Sequence, residues 1–107
     1  MTFSEMQNMY KDVVSRFNKI ELNEWNAEGT MIELMKQVGE LAKWVMIKEK
    51  YYALTEELRE VNEHLGNEMA DIIAQVIRLA DVYGIDLETA YIEARKDEMK
   101  YLDSRGV

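Results

Sequence analysis

The chain has 107 residues, enough for one domain spanning residues 1–107 and too few for two. With 48% apolar residues it is not a disordered chain, and without cysteine it has no disulfides, thiolate metal sites or cysteine nucleophiles. A formal charge of −8 argues against a duplex nucleic-acid surface, which needs a basic patch, and no apolar run reaches the roughly 18 residues of a membrane span.

Proline is absent and the five glycines are scattered singly, so long helices are expected rather than strands and turns. The opening residues Met1 to Met6 lack the basic and apolar regions of a signal peptide, which predicts a cytoplasmic protein.

Phe3, Met6, Tyr10, Val13, Val14, Phe17 and Ile20 recur at helical spacing and predict a first helix over about Ser4 to Ile20. Glu21 to Gly29 breaks the pattern and reads as a connection. Thr30 is the expected cap of a second helix reaching about Tyr51, with an inner stripe of Ile32 or Met35, Val38, Leu41, Ala42, Val45 and Met46. Thr55 with Glu56 and Glu57 marks a third helix start, acid lying favourably at the positive end of the dipole. That helix carries Leu58, Val61, Leu65, Met69, Ile72, Ile73, Val76, Ile77 and Ala80, with a break expected near Gly66. Gly84 is placed to end it, and Asp86 to cap a last helix from Leu87 to about Leu102. Four helices with short connections predict an all-α four-helix bundle. So much apolar stripe on a short bundle predicts burial against a second copy, as a homodimer or a dimer of dimers.

Two segments combine acidic positions with apolar neighbours on one helical face: Gln37-Val38-Gly39-Glu40-Leu41-Ala42 and Glu68-Met69-Ala70-Asp71-Ile72-Ile73. Carboxylates turned into a bundle are costly unless paired or bound to metal, and facing helices can gather them into an oxygen-rich site suited to magnesium. The bland alternative is a wet acidic face, which is what most such spacings are. Spacing does not choose between them. No glycine-rich phosphate loop and no nucleophile–base arrangement around Ser4, Ser15 or Ser104 is visible. A di-iron site needs Glu-x-x-His pairs, and Val61 stands three residues before His64, the single histidine.

Val38-Gly39-Glu40-Leu41 and Glu68-Met69-Ala70-Asp71, with Gly84-Ile85-Asp86-Leu87-Glu88-Thr89-Ala90 at the entry to the last helix, resemble the MazG-like nucleotide pyrophosphohydrolases. Phe17 and Trp25 resemble an aromatic pair ahead of the first motif, so the likeness runs from about residue 10 to residue 105. The resemblance implies an all-α NTP pyrophosphatase fold and a hydrolase that splits a nucleoside triphosphate into a monophosphate and pyrophosphate. It implies magnesium, with manganese as the alternative ion. Glu40, Glu68 and Asp71 would be the catalytic metal ligands, with Gln37 and Glu33 beside them. Trp25 would stack on the base, and Asp97, Lys100, Tyr101 and Arg105 would meet the rest of the substrate. Gln37 departs from the family's first glutamate and Asp97 from its asparagine; a neutral amide offers an oxygen but neither charge nor base. Those departures support an alternative, a nucleotide-binding or regulatory bundle of the same descent without turnover.

Overall fold

The structure, a computed structural model, describes residues 1–24, 26–53 and 57–107. Among these residues it is all-α, with four helices and no strand: α1 Phe3–Phe17, α2 Ala27–Lys48, α3 Leu58–Val82 and α4 Leu87–Ser104. None of its helices is long and apolar enough to cross a membrane. Trp25 and the Thr55 and Glu56 of the expected helix start lie outside the described residues.

Three helix starts carry a side-chain cap. The Glu5 amide donates to Thr2 Oγ1 at 3.1 Å, the Gly29 amide to Asn26 Oδ1 at 2.9 Å, and the Thr89 amide to Asp86 Oδ1 at 3.2 Å. Asn26 thus replaces Thr30 as the cap of α2. Asparagine caps at least as well as threonine, and Thr30 is one of the two most deeply buried residues, inside the helix.

Helix ends are equally regular. After α2, α3 and α4 a residue at positive φ (Lys50, Gly84, Gly106) lets the next amide reach back five residues, to Met46 O, Ala80 O and Leu102 O respectively. Gly84 therefore ends α3 as its sequence position predicts. The expected break at Gly66 is absent, and α3 runs through it for 25 residues. One glycine costs a helix only about 1 kcal/mol, and packing along α2 outweighs that.

The core sits between α2 and α3, which pack most extensively. Trp44, Val61 and Leu65 form its buried centre, with Leu41 and Ile47 against them. The face α2 turns to α3 is thus set by Trp44 and the residues three before and three after it. This corrects the stripe expected from periodicity, of which Leu41 packs inward while Ile32, Met35, Val38 and Val45 are exposed. The helices run antiparallel, as the Trp44–His64 ring contact and the Lys48 Nζ bond to Asn62 Oδ1 show.

α1 lies on α3 through buried Gln7, whose amide donates to Ile85 O at 3.2 Å and to Asp81 Oδ1 at 3.4 Å. α4 joins the start of α1 through Ser4 Oγ to Glu88 Oε2 at 2.8 Å and the Phe3–Tyr91 rings, and buries no residue of its own. The result is an open bundle. Its radius of gyration is 17.4 Å, against roughly 13 Å for a compact chain of this length. Its accessible surface is 8114 Å², against roughly 6,200 Å² for a compact 12.6 kDa monomer.

Candidate functional site

Where α1, α2 and α3 meet, a cleft of about 510 Å³ opens. α2 contributes Glu33 and Gln37, one turn apart, and Gln37 Nε2 donates to Glu33 Oε1 at 2.9 Å. α3 contributes Asp71, Gln75 and Arg78, which recur at helical spacing and so share one face. Tyr10 and Phe17 of α1, with Ile20 and Glu21 just beyond it, close the third side. Gln75 Nε2 donates to Tyr10 Oη at 3.4 Å, tying two walls together.

The cleft therefore holds acid from three directions, Glu21, Glu33 and Asp71, beside the buried guanidinium of Arg78. Glu21 Oε2 is buried with no hydrogen-bond partner. Glu68 lies one turn before Asp71 on α3, half-buried, and its Oε2 is likewise buried without a hydrogen bond. A carboxylate oxygen stripped of water and given no donor is in an unfavourable place, which a cation would relieve.

Of the residues singled out in the sequence, Glu33, Gln37 and Asp71 come together in this cleft. Glu40, one turn beyond Gln37, is turned to Lys43 at 3.2 Å with 43% of its side chain exposed. Among the described residues no three Asp, Glu or His side chains converge as a metal-holding group. Asp97 and Tyr101 line a separate hollow on α4, with Lys100 and Arg105 exposed on the same end of that helix. Trp25 is outside the described residues.

Glu21, Gln75, Arg78 and Tyr10 are cleft residues that motif reading passed over. Arg78 had a signal, being the only charged residue between Asp71 and Asp81 in a run that is otherwise apolar except for Gln75. Glu21 had none, because it sits in a connection whose path the pattern does not fix.

Comparison with known protein families, with curated proteins and with solved structures gave no match.

Proposed function

We propose that the chain is a magnesium-dependent nucleoside triphosphate pyrophosphohydrolase of the MazG-like kind, acting on cytoplasmic nucleotides. The observation that carries this is the cleft, where carboxylates from facing helices, Glu33 and Asp71, stand with Glu21 and next to Arg78. Acid and guanidinium in one hollow suit a ligand that brings cations and phosphates together.

The donors are of the chemistry magnesium takes, each offering hard oxygen, and Glu68 Oε2 is a buried carboxylate oxygen without a hydrogen-bond donor; binding would have to draw them together, since no three acids converge among the described residues. Glu68 and Asp71 would hold the ion, joined by Glu40 once its side chain leaves Lys43, and by Glu33 with Gln37 at the edge. The ion, when bound, supplies charge neutralisation on the phosphates and a more acidic water. The reaction is attack of water on the α-phosphorus with pyrophosphate leaving. In it Arg78 would meet phosphate oxygens, Tyr10 and Phe17 would keep bulk water from one wall, and a cleft carboxylate would orient the attacking water.

A second reading, nucleotide binding without turnover, is favoured by the Glu40–Lys43 pair and the uncharged Gln37. One panel separates the two. Pyrophosphate release from ribo- and deoxynucleoside triphosphates that requires magnesium and disappears in Glu68→Ala supports the enzyme. Magnesium-dependent binding of a nucleotide with no release of pyrophosphate selects the binding protein, and neither binding nor release sinks both.

A further inference from the structure

Gln75 is an amide set in an apolar stretch of α3, between Ile72-Ile73-Ala74 and Val76-Ile77. It is only 6% exposed, and it lines the cleft. Its Nε2 donates to Tyr10 Oη at 3.4 Å, while its Oε1 is buried with no hydrogen-bond partner. A leucine or methionine would fill this place without stranding a polar atom, so packing does not call for the amide.

The antiparallel packing that sets Trp44 opposite His64 fixes what Gln75 faces. Steps of seven and eleven residues return to one side of a helix, so Gln37 stands opposite Asp71 and Glu33 opposite Gln75. Along α3, Gln75 lies one turn beyond Asp71 and one turn short of Arg78, and all three line the cleft. On the reading proposed above those two neighbours meet the cation and the phosphates, so a group held at Gln75 lies beside the phosphate chain. Ionised phosphate oxygens only accept hydrogen bonds, as Oε1 does, and give it no partner. A water offers two hydrogens. To attack phosphorus it must turn a lone pair forward and have its hydrogens held away.

We infer that Gln75 is a catalytic residue of the cleft, its Oε1 accepting a hydrogen bond from the attacking water; this rests on the hydrolase reading above. The last torsion of a glutamine is soft, and turning it carries Oε1 toward the hollow that the side chain lines. The water oxygen bonds to the α-phosphorus as the bond to the bridging oxygen breaks, and pyrophosphate leaves with that electron pair. One proton passes to the Glu33 carboxylate opposite. The other stays on the oxygen, hydrogen-bonded to Gln75. A neutral amide takes no proton, so Gln75 contributes direction alone.

Steady-state kinetics of magnesium-dependent pyrophosphate release, with thermal melts in the absence of divalent ions, test this on Gln75→Leu and Gln75→Met. With the triphosphate that the parent cleaves fastest, kcat should fall at least about tenfold and KM should move less than about twofold, as when an interaction made only in the transition state is lost. Both variants should melt no lower than the parent, because a stranded oxygen is removed. A structural glutamine predicts the reverse, so lost activity with a lower melting temperature would overturn the inference. So would an unchanged kcat, or a loss confined to KM, in variants of an active parent. A parent that releases no pyrophosphate from any triphosphate fails at the hydrolase reading itself and takes this inference with it.

Discussion

The indole of Trp44 and the imidazole of His64 lie face to face between α2 and α3, their centroids 3.9 Å apart and their planes within 6°. Trp44 is buried while His64 is exposed, so the imidazole acts as the outer cover of the core's largest side chain. Lys43 Nζ stands 5.0 Å from the same indole, adding a cation near its face. His64 sits among Asn62, Glu63 and Asn67 in the sequence, which reads as a wet surface; its packing role depends on a partner twenty residues away. Replacing it with alanine should lower stability by about 1 kcal/mol, the worth of an aromatic pair beyond its area. In a Trp25→Phe background, Trp44 emission should shift to the red as water reaches the ring. Unchanged emission and an unchanged denaturation midpoint would mean that the stack carries no energy.

Lys50 ends α2 at φ 64°, in the left-handed region where α3 and α4 end with Gly84 and Gly106. An L side chain pays steric strain there that glycine does not. Lys50→Gly should therefore stabilise by about 0.5–1 kcal/mol, and Gly84→Ala should destabilise by about 1 kcal/mol, since no neighbour within 4 Å complicates the second change. Urea midpoints moving in opposite directions would bear this out. Midpoints moving together would show that something other than φ governs these ends.

The punctuation of this fold is legible because it is local chemistry. Asp86 and Gly84 act at the positions their residue types announce, and the apolar spacing finds four helices with ends off by a few residues. Thr30 shows the limit: two competent caps, Asn26 and Thr30, stand four apart, and only burial decides between them. The seam of α2 shows a deeper one. Periodicity marks Met35, Val38, Ala42 and Val45 as a face that seeks cover but does not say what covers it, and the face turned to α3 is instead the one carrying Leu41, Trp44 and Ile47. The candidate site was legible at Glu33, Gln37 and Asp71, whose positions follow from helical spacing on α2 and α3. It was illegible at Tyr10 and Glu21, which reach the cleft only because of how α1 lies on α3.

On α4, Arg95 grips Glu98 with two hydrogen bonds, Nε to Oε2 at 2.8 Å and Nη2 to Oε1 at 2.6 Å. The guanidinium holds the Glu98 carboxyl below its ordinary range, chiefly through those bonds, and Glu98 in turn raises Arg95. A depressed carboxyl stabilises the folded state above its unfolded pKa, and that contribution is lost as pH falls through the depressed folded value. Both side chains lie at the surface, so salt should screen the pair. Carboxyl carbon chemical shifts followed against pH should show Glu98 titrating lower than in an Arg95→Gln variant. Identical titrations in the two proteins would dissolve the pair.

Gln37 Nε2 donates to Glu33 Oε1 in the cleft, so the amide now neutralises part of the acid's demand for a partner. Gln37→Glu removes that donor and sets two carboxylates one turn apart, which costs an exposed helix about 0.2–0.5 kcal/mol and somewhat more in a half-buried cleft. In the absence of divalent ions the variant should therefore melt at a lower temperature than the parent. If the cleft takes magnesium, the added charge makes the ion a stronger ligand of the folded state, and binding then stabilises by mass action. Millimolar magnesium should raise the melting temperature of Gln37→Glu more than that of the parent, and should leave Glu68→Ala unmoved. If the proposed hydrolase reading holds, the same change should also increase magnesium-dependent pyrophosphate release, because the position gains a charged oxygen ligand. A variant that is destabilised without magnesium and gains nothing with it would mean that Glu33, Gln37 and Asp71 share a wet wall rather than a metal site.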